Sequence, residues 1–195
     1  VAAVERIDWD AGTWTTPPVE VRADGDHLLV TAAEGSDAWR HTAYGFVHDD
    51  AHGLLAPLPV GSAVEVDVDL DLTEQFDQAG VLLRADANTW IKAGVEVSDG
   101  VPQLGAVVTL SLSDWSTGQV PDWAGRTATV RLSRGRDAVT VRARVAGEAW
   151  RLVRVAPFPG DVAAGAGPFC CAPTRAGLTV RFRAWRTGEA DASLH

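Results

Sequence analysis

An antiparallel β-sandwich or jelly roll is the fold class this chain predicts, on three observations. Short runs rich in Val and Leu recur along its length, with turn signals between them. The segment Val64 to Leu72, VEVDVDLDL, alternates without a break. Val64, Val66, Val68, Leu70 and Leu72 therefore face one way and Glu65, Asp67, Asp69 and Asp71 the other, the period of a half-buried strand. No segment makes a convincing helix, and no internal repeat is present. About ten strands are expected, in two antiparallel sheets.

The elements follow in order. Val4 to Trp14 ends at Thr15-Thr16-Pro17-Pro18, which cannot be helix interior, so an edge strand and a turn are expected there. Val19 to Ala23 and His27 to Ala32 flank an Asp-Gly turn and form a hairpin. Ser36 to Gly53 has little periodicity and carries Trp39, Tyr44, Phe46 and three histidines, which predicts a loop able to carry function. Three strand-like runs then fill Asp77 to Trp115, and Ser116 to Arg126 is expected as a loop. Ala128 to Ser133, Ala138 to Val145 and Trp150 to Val155 are three more strands. Ala156 to Pro173 is Pro- and Gly-rich, and Leu178 to Trp185 closes a sheet.

Composition bounds the function. A chain of 195 residues suits one β-sandwich domain over residues 1–195 and can bury a sizeable core. Acidic residues outnumber basic ones, 26 to 17, which argues against nucleic acid as partner. No apolar run approaches the roughly 18 residues of a membrane span. The adjacent Cys170 and Cys171 cannot staple distant parts of the fold, and as reduced thiols they point to an intracellular location.

The stretch from Asp77 to Trp115 holds the best candidate site. Its alternation sends Ala79, Val81, Leu83, Ile91, Ala93, Val95 and Val97 to the core. The opposite face then holds Gln78, Arg84, Trp90, Lys92 and Glu96: an amide, a guanidinium, an indole, an ammonium and a carboxylate. A solvated face of cross-strand ion pairs explains the charges equally well, but not a Trp among them.

The blocks SDAWRHTAYGF, FDQAGVLLRAD, TWIKAGVEVSDG, VVTLSLSDWS, WRLVRVAPFP and GPFCCAPTRAGLTVRF, in this order from about Ile7 to Gly188, resemble the DUF1349 family, also called the regulation-of-enolase-protein-1 group. The resemblance leaves 189–195 as a C-terminal tail. It implies a concanavalin A-like jelly roll of two antiparallel sheets, mostly cytoplasmic members and no established activity. The family pattern falls on Asp37, Trp39, Tyr44, His52, Asp77, Gln78, Arg84, Trp90, Lys92, Glu96, Thr109, Asp114, Trp115 and Ser116. Ala146-Gly147 replaces its usual Asp-Gly turn, Gly105 stands where Ser is common, and Pro168-Phe169 replaces Pro-Met.

Together these residues suggest a non-catalytic module binding a carbohydrate or small polyol on the concave sheet face, with no cofactor. Trp90 and Trp115 would stack on the ligand, while Gln78, Arg84, Lys92 and Glu96 hydrogen-bond it. Trp39, Tyr44 and His52 would form a rim, and Asp77 and Thr109 complete the ligand-binding set. One alternative is a glycan-active enzyme with Glu96 and Asp77 as its carboxyl pair. Another is an interaction module regulating a metabolic enzyme.

Other motifs carry less. Glu65, Asp67 and Asp69 are similar to the catalytic strand of jelly-roll β-glucanases, but alternate strand residues lie about 7 Å apart, beyond the roughly 5 to 5.5 Å of a retaining pair. An acidic face opposite Arg142 and Arg144, or Arg181 and Arg183, is expected instead. His48, Asp49, Asp50 and His52 are compatible with a metal or with turn hydrogen bonds. Ser113 to Ser116 lacks a histidine at an informative spacing, so a capped turn with Trp115 on a groove rim is expected.

Overall fold

A computed structural model describes residues 4–194. Its strands are β1 (Val4–Arg6), β2 (Thr13–Trp14), β3 (Glu20–Asp24), β4 (His27–Thr31), β5 (Ala38–Arg40), β6 (Val47–Asp49), β7 (His52–Pro57), β8 (Ser62–Asp69), β9 (Gln78–Asp86), β10 (Thr89–Ser98), β11 (Val101–Leu110), β12 (Leu112–Gln119), β13 (Thr127–Arg134), β14 (Ala138–Val145), β15 (Arg151–Pro157), β16 (Gly165–Cys171) and β17 (Thr179–Glu189). Among the described residues the only helical pieces are 3-10 turns at Trp9–Ala11 and Pro121–Trp123.

Two antiparallel sheets form a jelly-roll sandwich. One runs β15-β14-β13-β8-β17-β4-β3, with β1 also on β17; the other runs β12-β11-β10-β9-β16-β7-β2. Alternation explains the core between them. Val64, Val66 and Val68 of β8 meet Ala79, Val81 and Leu83 of β9, Ile91, Ala93 and Val95 of β10, and the indole of Trp185 in one buried cluster. Each such side chain contributes on the order of 1.5–3 kcal/mol on leaving water.

The opposite face of β8 is charged and fully engaged. Glu65 accepts from Arg131 at 3.0 Å, Asp67 from Arg186 at 2.6 and 2.7 Å, and Asp69 from Arg183 at 2.6 Å. Arg181 and Arg183 were expected as partners; Arg131 and Arg186 were not. Arg142 instead binds Asp191 in the tail, and Arg144 lies 4.3 Å from the Trp150 ring. All three carboxylates are thus bound by guanidinium groups, and none of them is left as a free acid or nucleophile.

Several boundaries correct the sequence expectations. The alternating strand stops at Asp69, not Leu72. The expected loop at Ser116 is the second half of β12. The Pro- and Gly-rich segment contains β16, a central strand between β9 and β7. Packing overrides propensity there: a Cβ on Gly167 would lie 2.0 Å from the Leu54 carbonyl oxygen and 2.8 Å from the Trp185 ring. The aromatic stretch after Ser36 folds into the β5–β6 hairpin and leads into β7.

Candidate functional site

Register places the polar residues of β9 to β12 in rows across the outer face of the seven-stranded sheet. Gln78, Glu96, Gln103 and Gln119 lie abreast; Gly80, Gly94, Gly105 and Thr117 form the next row. Leu82, Lys92, Val107 and Trp115 follow, then Arg84, Trp90, Thr109 and Ser113. The first three rows lie beside an open cleft; the β5–β6 hairpin folds over the fourth.

The fourth row anchors that hairpin. Thr109 and Ser113 hydroxyls are 2.8 Å apart, and Ser113 Oγ accepts the Arg40 backbone N–H at 2.9 Å. Arg84 grips Asp49 with two guanidinium N–H groups, one of them at 2.9 Å. Trp90 is 1 % exposed and belongs to a small apolar cluster with Trp39, Leu82, Val107 and Phe169. Its Nε1–H donates to the Ala87 carbonyl at 3.3 Å. Its ring therefore offers no open face, contrary to the stacking role expected for it.

Lys92 is the centre of the floor. Its ammonium, 5 % exposed, donates to Asp37 Oδ1 at 2.6 Å and to Gln78 Oε1 at 2.7 Å. Burial, the largest single influence, would lower its pKa, but the attraction of Asp37, Cys171 and Glu96 together outweighs it and holds the ammonium above the usual lysine value. Gln78 Nε2 donates to Asp37 Oδ1 at 3.4 Å and to the Phe76 carbonyl at 3.2 Å. Glu96 differs in kind: no described residue donates to its carboxyl group. Burial pushes its pKa up to about 7, against the pull of Lys92 and with the push of Asp37.

The hairpin supplies an aromatic wall. Ring centroids are 5.6 Å apart from Trp39 to Tyr44, 5.2 Å from Tyr44 to Phe46 and 4.9 Å from Phe46 to His48. These rings, together with Trp115, Phe76, Pro173 and Thr174, enclose a cleft of ≈ 380 Å³ over Gln78, Lys92, Glu96 and Val107. Trp115 is 39 % exposed, so it has surface to offer a ligand. The same floor continues into a shallow trough over Gly94 and Gly105, flanked by Gln103 and Thr117.

Two expected site residues are structural. Asp77 is fully buried and accepts from Arg175 at 2.7 to 3.2 Å and from the Thr73 and Glu74 N–H groups at 3.1 Å. Burial raises its pKa, but these donors together outweigh it and hold the carboxyl below the usual range. With both oxygens occupied, Asp77 cannot pair with Glu96 as an acid or nucleophile. His52 is also buried: its Nε2 accepts the Ala33 N–H and its Nδ1 faces the Thr16 carbonyl, each at 3.0 Å. It is an anchor, not a rim residue.

Among the described residues no group of three or more His, Cys, Asp or Glu could hold a metal ion. The loop ligands are dispersed, with Asp49 on Arg84 and Asp50 on the Asp37 N–H. Among the described residues no helix is long and apolar enough to cross a membrane. Sequence reasoning missed Phe46, His48, Phe76 and Gln103 as cleft residues. For Gln103 a signal existed, because it alternates with Gly105, Val107 and Thr109 on the third strand. Phe76 had none: it holds a positive φ of 65° just before β9, next to the Asp77 clamp.

The family model for DUF1349, a protein of unknown function, matches residues 14–190. Regulation of enolase protein 1 from Saccharomyces cerevisiae is 35% identical over 185 residues, covering 94% of this chain and 93% of that protein. A crystal structure of a functionally unknown protein from Saccharomyces cerevisiae matches with TM-score 0.89 and 32% identity over 95% of this chain and 100% of that one. At low identity the fold alone is shared with two further structures. Lectin I-B4 from Griffonia simplicifolia, in its metal-free form, gives TM-score 0.57 at 14% identity over 92% of this chain and 93% of the lectin. A xylan beta-1,4-xylosidase from Bacillus halodurans gives TM-score 0.70 at 15% identity over 95% of this chain, which spans 39% of the xylosidase. With a concanavalin A-like sandwich and a family match over most of its length, the chain belongs to the DUF1349 family.

Proposed function

We propose that this protein binds a carbohydrate or related polyol, without converting it, in the cleft between the β5–β6 hairpin and Trp115. The observation that carries this reading is the pairing of an aromatic wall with a polar floor of Gln78, Lys92 and Glu96 in one open cleft. Sugar rings present apolar C–H faces and equatorial hydroxyls, which call for that combination. Trp115 and the hairpin aromatics supply the ring contacts; Glu96 and Gln78 supply hydrogen bonds. Trp90, Thr109 and Arg84 support the hairpin from beneath, and His52 anchors the neighbouring Thr16 and Ala33 segments to β7. The lectin neighbour agrees with this use of the fold, and two buried free thiols suit a reducing compartment such as the cytoplasm.

A thermal-shift screen against mono- and oligosaccharides tests it. A sugar at 100 times its Kd adds about 2.7 kcal/mol to folding, a rise of roughly 5 °C or more for a chain this size. The shift should vanish in Trp115→Ala, whose partly exposed ring is not needed for folding. A shift undiminished in that variant would move the site elsewhere.

A second reading is an interaction module acting on a metabolic enzyme. The name of the yeast relative favours it, as does β12, an edge strand entered through a turn from β11 that exposes Leu110 and Leu112. A partner segment could add to that edge by backbone pairing. A pull-down of a metabolic enzyme that survives Trp115→Ala and fails when Pro replaces Thr117 would favour this reading over the first.

A further inference from the structure

We infer that the cleft selects uncharged polyol rings and rejects their phosphorylated and acidic counterparts, an inference that rests on the binding reading above. Lys92 is the only Lys or Arg among the cleft-lining residues, and two of its three N–H donors are already spent on Asp37 and Gln78. Of the other guanidinium groups on these elements, Arg84 is committed to Asp49, Arg175 to Asp77, and Arg154 to Asp114 and Ser116, while Arg40 of the hairpin, whose Nε is buried without a hydrogen-bond partner, does not line the cleft. Recognition of a phosphate draws on free Arg forks, Lys ammoniums or helix N-termini; here Lys92 has one donor left, and among the described residues the helical pieces are three-residue turns.

The carboxyl groups work in the opposite direction. Asp37 and Glu96 both line the cleft, so once Glu96 ionises the floor holds two negative charges against the single charge of Lys92. His48 Nδ1 lies 3.9 Å from Asp50, which adds a further carboxylate behind the wall. An anionic ligand would meet repulsion in a part-desolvated site, where like charges cost most. A neutral hydroxyl instead donates to the Glu96 carboxyl group, which receives no hydrogen bond from the described residues, while its ring lies against Trp115. The net charge of −9 on the chain points the same way at long range.

Calorimetric titration at pH 8 tests this with glucose, galactose, mannose and xylose, the phosphates of each, and the uronic acids of the hexoses. For any neutral sugar that binds, its phosphate and uronic acid should bind at least tenfold more weakly. Glu96→Gln, nearly isosteric, should narrow that ratio several-fold by removing one carboxylate. Asp37→Asn should narrow it as well, by leaving Lys92 free to meet the anion. Phosphates that bind as tightly as the neutral sugars, with binding lost in Trp115→Ala, would overturn the charge selection and leave the site standing. No binding by any sugar would overturn the site itself.

Discussion

Lys92 shows how one buried charge organises the site at the residue scale. Its ammonium is stable out of water because Asp37 and Gln78 accept its hydrogen bonds, and it in turn fixes the start of the hairpin against the sheet. Lys92→Met should cost roughly 2–3 kcal/mol in urea denaturation, since it leaves the Asp37 carboxylate and the Gln78 amide without their donor. Glu96 makes the opposite contribution. Its folded pKa of about 7 lies above the ordinary glutamate value of 4.5, so between those values the unfolded chain binds fewer protons than the folded one. Stability should therefore fall as pH rises from about 4.5 to about 7 and then level off. In Glu96→Gln that portion of the slope should disappear, and the variant should match or exceed the wild type in stability at pH 8. A wild-type slope unchanged by the substitution would place the titration elsewhere.

At the scale of elements, strands β9 to β12 divide into support and surface. Trp90 and Trp115 stand on adjacent rows of one face, yet the first is covered by the hairpin and the second is not. Trp90→Ala should cost about 3–5 kcal/mol, whereas Trp115→Ala should cost under about 1 kcal/mol and lose ligand. The glycine row has its own signature. A Cβ on Gly94 would sit 2.2 Å from the Ala79 carbonyl oxygen, while one on Gly118 would meet nothing within 4 Å. Gly94→Ala should destabilise by about 1–3 kcal/mol through overpacking, and Gly118→Ala should be close to neutral in the same denaturation series.

These elements also mark where the sequence was legible. Period-two alternation in β9 and β10 identified the core face correctly, residue by residue, because it depends only on the local pleat. It could not say that Ala38–Asp49, some forty residues earlier, folds over Trp90 and Arg84. That depends on long-range hydrogen bonds from Arg40 to Ser113 and from Arg84 to Asp49. Pro168 and Gly167 similarly hid β16, since their tolerance there comes from the close approach of β7 and Trp185.

For the molecule as a whole, the two sheets face one another through a continuous apolar core, so their outer faces are left to take different roles. On the sheet containing β8, carboxylates and guanidiniums neutralise each other in pairs. On the sheet containing β10, charge is partly unpaired at Glu96 and lies beneath an aromatic wall. The fold class was legible because a sandwich repeats the same half-buried pattern many times. The cleft was only partly so, because its wall, floor and end come from segments far apart in the chain. Loops at the end are held by the Asp77–Arg175 pair, and Asp77→Ala should cost about 3 kcal/mol by leaving Arg175 without its carboxylate and the Thr73 and Glu74 N–H groups without an acceptor.

The most direct test uses the chain's eight tryptophans as position markers. Indole N–H signals of the labelled protein, assigned by substitution, would be followed by NMR during titration with the neutral sugar that gives the largest thermal shift, or with glucose, galactose, mannose and xylose in turn. The account predicts that the Trp115 and Trp39 signals move together with one saturation curve, while the buried Trp123 and Trp185 signals stay fixed. Movement confined to Trp14, which lies beside the separate surface pocket at Arg84 and Pro57, or no movement with any sugar, would contradict it.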